Sequence, residues 1–240
     1  MIGYRADHDS GAIACKFRSN GQTCISANRI YVHSSVYAEF ASRLAEKVSA
    51  FKTGDGLLGD TYVPPSMITS AKLQSFCYYS THGPLIHEKA VGKVVKHVED
   101  AVSKGAQILI GGKRPDAPGS FYEPTVLSDV PAGHSTFFGQ EETFGPVAAL
   151  IKFETEKEVL ELANDSDVGL GGYFYSRDIG RIWRVAEALE VGMVGINTGV
   201  ISGSSIPFGG VKESGLGRES GHGIVEYLQD KLLAFGGLDK

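Results

Sequence analysis

Apolar residues recur along this chain with two alternating periods. From Ser35 to Phe51 they fall every three or four positions, with Val36, Phe40, Leu44, Val48 and Phe51 on one stripe. That is the spacing of an amphipathic helix. His87 to Lys104 repeats it with Ala90, Val91, Val94, Val95, Val98, Ala101 and Val102, and Gly105 supplies the stop. Short apolar runs stand between such stretches: 29–32, 106–110, 121–127, 147–153, 173–175 and 193–196. These read as strands, with 106–110 expected to be buried. Thr155 and Asp178 precede two further helical stretches, Glu156 to Ala163 and a helix running through Trp183 to Leu189, as N-caps. Alternating strands and helices predict an α/β domain of three layers, a largely parallel sheet covered by helices.

Two regions disturb this rhythm. Residues 57–80 read as a long irregular insertion containing Pro64-Pro65 and Phe76-Cys-Tyr-Tyr79. Loops beyond ~12–15 residues are uncommon in compact domains. A retained intron in the gene model accounts for such a segment. No Gly-x-Gly-x-x-Gly follows a strand anywhere, so no dinucleotide-binding βαβ unit is expected within the chain.

Composition narrows the function classes. The 240 residues are 42% hydrophobic and 21% charged, a globular mixture rather than a disordered one. A net charge of -5 and the lack of a basic run argue against nucleic acid as a partner. No apolar stretch reaches the ~18 residues that would span a membrane, and no signal-peptide core opens the chain. Cys15, Cys24 and Cys77 are too few and too scattered for a disulfide framework or a metal site, which suits a reducing compartment.

The chemistry concentrates in three strings. The first is Phe17-Arg-Ser-Asn-Gly-Gln-Thr-Cys24, which sets a thiol on a loop ahead of a strand, where a nucleophile meets a substrate. A packed, inert thiol is the alternative, and Cys15 and Cys77 keep that reading. The second is Glu141-Glu142-Thr143-Phe144-Gly145-Pro146-Val147. The third is Pro207-Phe208-Gly209-Gly210-Val211-Lys212 with Ser214-Gly215-Leu216-Gly217-Arg218-Glu219. An acidic turn before a strand and a solvated Lys212 are the plain readings of those stretches.

In this order the three strings resemble the catalytic half of the aldehyde dehydrogenase family, over about Gly11 to Leu238. The resemblance implies that residues 1–227 form the catalytic domain of that fold, with the atypical insertion at 57–80. It implies that residues 228–240 form a C-terminal oligomerisation strand, and that an N-terminal coenzyme domain is missing. Cys24 is similar to the family's nucleophile, whose thiolate adds to the aldehyde carbon. Glu142 and Phe144 match the pair that serves NAD or NADP at the nicotinamide ribose and ring. Phe208 matches an aromatic ring at the substrate entrance, and Asn197 a supporting asparagine at a strand end. Arg18 and Ser202 match the residues that hold the distal carboxylate in succinate-semialdehyde dehydrogenases; guanidinium forks suit carboxylates. A surface ion pair and a loop hydroxyl are the plain alternatives. The strings 83–90, 172–176 and 190–195 also resemble that subfamily. The expected function is NAD(P)-dependent oxidation of a small aldehyde to its acid, in a homo-oligomer when complete, in the cytoplasm or mitochondrion.

Departures from the pattern matter. Ser19 stands where the motif usually has asparagine, and Ser26 where some relatives carry a second, switch-forming cysteine. The family's Glu-Leu-Gly-Gly general-base string is absent from these residues. That implies little turnover by the chain alone, and leaves a non-catalytic fragment that pairs with full-length subunits as the competing reading.

Overall fold

The computed structural model describes residues 1–54, 82–221 and 223–236. The expected insertion at 57–80, with Cys77, lies outside the described residues. Its flanks meet: Thr53 and His82 pair, and the Gly54 amide donates to the His82 carbonyl at 2.9 Å.

Among the described residues, seven strands form one sheet in the order β3-β4-β5-β2-β1-β7-β8. They are β1 (Ile2–Gly3), β2 (Ile30–His33), β3 (Gln107–Ile110), β4 (Thr125–Ser128), β5 (Val147–Phe153), β7 (Gly171–Tyr175) and β8 (Met193–Ile196). Every neighbouring pair is parallel except β3 with β4. A second, two-stranded sheet pairs β6 (Val168–Gly169) with β9 (Val211–Lys212).

Residues alternate between the two faces along each buried strand. Ala148 and Leu150 of β5 join Ile30, Val32, Tyr173 and Tyr175 under α1 (Asp9–Lys16) and α2 (Ser34–Ser49). Val147, Ala149 and Ile151 join Tyr31 and Phe174 under α3 (Glu88–Ser103), α4 (Glu156–Asn164) and α5 (Ile179–Ala188). The three layers expected from the pattern are therefore present. The stripe of α2 is inward: Phe40 and Leu44 are fully buried, each contributing ~1.5–3 kcal/mol of hydrophobic transfer. Both expected caps are made. Thr155 closes a reciprocal capping box with Glu158, and Asp178 accepts from the Arg181 amide at 3.0 Å. Gly105 ends α3 with φ +105, a conformation that favours glycine.

Two expectations need correcting. The strand at 106–110 was expected to be buried; Ile108 and Leu109 are 44% and 40% exposed. Among the described residues β3 is the edge of the sheet, paired only with β4. The strand expected at 121–127 starts later, at Thr125. Pro124 offers no N–H to a ladder, so the buried Phe121 and Tyr122 pack without sheet pairing.

Candidate active site

The Cys24 loop begins where α1 ends. Ser19, Asn20 and Gly21 take φ of 50, 57 and 68 in succession, a single left-handed turn. Such a conformation costs a residue with a side chain roughly 1–2 kcal/mol. Asparagine tolerates it better than serine, so Ser19 is less well suited here than the usual asparagine. Asn20 is also tied down, its side-chain amide donating to the Gly83 carbonyl. Gly21 has no alternative: a Cβ there would lie 2.3 Å from the Gly145 carbonyl oxygen. Gln22 then grips the neighbouring segment, accepting from the Ile86 amide at 2.9 Å and donating to the Pro84 carbonyl at 3.4 Å.

Beyond Cys24 the loop is held again. The Tyr173 hydroxyl donates to the Ile25 carbonyl at 2.8 Å, Ser26 Oγ to the Lys16 carbonyl at 3.2 Å, and the Ala27 amide to the Cys15 carbonyl at 3.1 Å. Cys24 is left exposed between these anchors. Among the described residues nothing accepts from its backbone N–H. Cys15 is the opposite case: burial shields the thiol and pushes its pKa up to about 11.

The second string folds into a turn against this loop. The Gly21–Gly145 contact joins them, and Asn28 locks them. Its Nδ2 donates to the carbonyls of Phe138 and Glu141, both at 2.9 Å, and its Oδ1 accepts from the Thr143 amide at 3.0 Å. Phe144 has φ +53 and stays 39% exposed, a strained position for a bulky residue, which argues for a role outside the core. Glu142 is also at the surface. Partial desolvation raises its carboxyl above the ordinary glutamate range, against the pull of Lys93 and Lys16. Lys16 is 1% exposed, and burial pushes its ammonium down to about 8, opposed by Cys15 and Glu142.

Tyr173, which anchors Ile25 beyond Cys24, is buried. Burial raises its phenol, and the charges of Cys15, Arg18 and Cys24 also reach it. Arg18 is exposed, and among the described residues no carboxylate pairs with it. Ile201 and Ile25 both approach Gly171, where a Cβ would be 3.0 and 3.6 Å from them, so half-buried Ser202 and exposed Cys24 neighbour, along the chain, two residues on one glycine. Phe208 packs against the same core and lines a cavity of about 600 Å³ with Leu170, Arg218, Ile224 and Tyr227. Neither Cys24, Arg18 nor Glu142 lines that cavity, so it is separate from the thiol. Asn197 has φ +54, and its amide is engaged with Ser176, accepting from its N–H at 3.0 Å and donating to its carbonyl at 2.9 Å. Its work is to hold the chain after β7.

Lys212 differs from its sequence reading. It is not merely solvated: its ammonium donates to the carbonyls of Asn164 at 2.8 Å and Ser166 at 2.9 Å, at the end of α4, and pairs with Glu190. Cations at helix C-termini are favoured there. Asn28 and Tyr173 were missed by sequence reasoning, since neither stands in a pattern that advertises its partners. Asn28→Ala is expected to lower the unfolding free energy by about 2–4 kcal/mol, three hydrogen bonds at ~1 kcal/mol each plus orphaned groups. Urea denaturation checks this; a change below about 0.5 kcal/mol would show that the two loops hold together without it.

A family model described as "Aldehyde dehydrogenase family" matches residues 6–233. The chain is 54% identical over 228 residues to the NADP(+) succinate-semialdehyde dehydrogenase 1 of Schizosaccharomyces pombe, covering 94% of this chain and 42% of that protein. It is 52% identical to a glutarate-semialdehyde dehydrogenase of Pseudomonas putida, covering 93% and 42%. Among solved structures, succinate-semialdehyde dehydrogenase from Burkholderia pseudomallei superposes with a TM-score of 0.83 at 50% identity, over 95% of this chain and 44% of that one. The chain thus spans less than half the length of these relatives.

Proposed function

This chain belongs to the aldehyde dehydrogenase family, and on that ground we propose that it carries the thiol half of an NAD(P)-dependent enzyme oxidising succinate semialdehyde to succinate. The observation that carries the reading is the packing of the Cys24 loop against the Glu142 turn through Gly21, Gly145 and Asn28. It brings two strings more than a hundred residues apart into contact, which supports the reading.

In this reading the Cys24 thiolate adds to the aldehyde carbon and forms a tetrahedral thiohemiacetal. The backbone N–H of Cys24 has no other acceptor among the described residues and is available to the oxyanion. Oxidation leaves a thioester on Cys24, which water hydrolyses to the acid. The residues present fit a dinucleotide. Glu142 offers surface acceptors for ribose hydroxyls, and Phe144 offers an exposed ring face for the nicotinamide. NAD or NADP, when bound, supplies the two-electron acceptor. Arg18 has no carboxylate partner of its own among the described residues, and with Ser202 it binds the substrate's distal carboxylate. The whole enzyme is a homo-oligomer, with residues 228–240 contributing to subunit contacts. Among the described residues, no helix is long and apolar enough to cross a membrane.

Limited iodoacetamide treatment followed by peptide mapping tests the nucleophile. Cys24 is expected to label at least tenfold faster than Cys15, whose thiol is both buried and held protonated by burial. Equal labelling in a folded sample would remove Cys24 as the reactive thiol.

One observation favours a second reading, a fragment that pairs with full-length subunits. Leu228, Leu232, Leu233 and Phe235 are 62–90% exposed, an apolar tail that pairs with no strand among the described residues. Dominant loss of activity on mixing with a full-length relative would support it over the catalytic reading.

A further inference from the structure

We propose that His97 is a positioning residue for the turn carrying Glu142 and Phe144, an inference that rests on reading that turn as the holder of the nicotinamide ribose. His97 lies on the inner face of α3 and is 0% exposed. Its Nδ1 is 3.0 Å from the Thr143 hydroxyl, and its Nε2 is 3.5 Å from the Glu141 carboxylate. Glu142 is therefore strung between the two residues that the imidazole meets. The ring is itself fixed: it stacks on Phe137 with centroids 5.4 Å apart and lies edge-on to Phe138 at 5.6 Å.

Asn28 grips the main chain of the same two residues, at the Glu141 carbonyl and the Thr143 amide. His97 holds the Thr143 side chain, and its other nitrogen faces the Glu141 carboxylate without a hydrogen bond. The backbone between two such anchors keeps few conformations, so the carboxylate is aimed before any ligand arrives. Pre-aimed groups spare a ligand the entropy of ordering them. Charge supports the arrangement. Burial lowers the His97 pKa below the ordinary histidine range, and Lys93 and Lys96 on its own helix add to this. Glu141 from the turn and Asp100 from α3 oppose it. The ring is neutral at pH 7, and its Nδ1 shares one hydrogen bond with the Thr143 hydroxyl, as donor or acceptor.

Variants of the 240-residue chain test this with two measurements: amide hydrogen exchange at residues 141–145, and affinity for nicotinamide mononucleotide. His97→Phe keeps the ring and removes both nitrogens. His97→Asn keeps a polar group near the place of Nδ1. Glu142→Gln removes the carboxylate charge without touching the anchor. His97→Phe is expected to speed exchange at 141–145 and to weaken mononucleotide binding, each about tenfold, the worth of one net hydrogen bond. His97→Asn is expected to recover most of both losses, which a loss of packing alone would not predict. The Cys24 alkylation rate is expected to stay as in the parent. Should His97→Phe fail to fold, Thr143→Val removes the same bond from the other side and carries the same expectations. Unchanged exchange, or His97→Asn as loose as His97→Phe, overturns the role of His97 and leaves the reading of Glu142 standing. A parent chain that does not bind the mononucleotide, or binds it no better than Glu142→Gln does, overturns that reading and this inference with it.

Discussion

Cys24→Ser lowers aldehyde oxidation by at least about 10⁴-fold when the chain is supplemented with the coenzyme half of a relative, because a hydroxyl is a far weaker nucleophile than a thiolate. The supplement is part of the expectation. These 240 residues hold no Glu-Leu-Gly-Gly string, and a missing general base typically costs 10²–10⁴-fold. The unsupplemented chain is therefore expected to show no measurable turnover with either NAD or NADP. Cys24 is exposed, so the serine variant should melt with the parent and the rate loss should be chemical. Steady-state assays with both dinucleotides check it. A serine variant retaining a tenth of the parent rate would take Cys24 out of the mechanism, as would unsupplemented turnover that survives the substitution.

Arg18→Ala in the same supplemented enzyme is expected to raise KM for succinate semialdehyde about ten- to a hundredfold, with much less effect on an uncharged aldehyde of similar length. A charge-assisted hydrogen bond is worth ~1.5–3 kcal/mol, which is that range. Arg18 has no internal carboxylate partner among the described residues, so its loss costs the fold little. Ratios of kcat/KM for the two aldehydes decide the matter. Equal losses on both would assign Arg18 to loop structure rather than to the carboxylate.

Elements with long, clean periods were legible. The stripe of α3 and the run of β5 stand where hydrophobic spacing put them, because tertiary burial follows that spacing directly. β1, β6 and β9 were not, being two residues each, too short for any period to show. At β3 the pattern misled: an apolar run signals a strand but not whether a second neighbour covers it, and among the described residues none does. The site divides in the same way. Cys24, Glu142 and Phe144 stood out through local strings. Asn28 did not, because its partners lie 110 to 115 residues away, and an asparagine before a strand carries no mark of them. Lys212 looked like an ordinary surface charge because its partners, the carbonyls at the end of α4, are main-chain atoms. Backbone acceptors leave no trace in residue types.

The place of β1 bears on how the molecule comes into being. Ile2–Gly3 pairs on one side with residues 31 and 32, and on the other with residues 174 and 175. The middle of the sheet is therefore a seam between one segment and another synthesised about 170 residues later. Contacts this distant along the chain raise the entropy of closure and slow folding. On the ribosome, β1, β2 and β5 can associate early, but the β7 side of β1 stays an open edge until residue 175 has emerged. An unpaired parallel edge is a template for mispairing with other nascent chains. Yield from cells should accordingly be governed by the duration of that interval, during which chaperone capture of the half-built sheet competes with aggregation, more than by the thermodynamic stability of the finished domain.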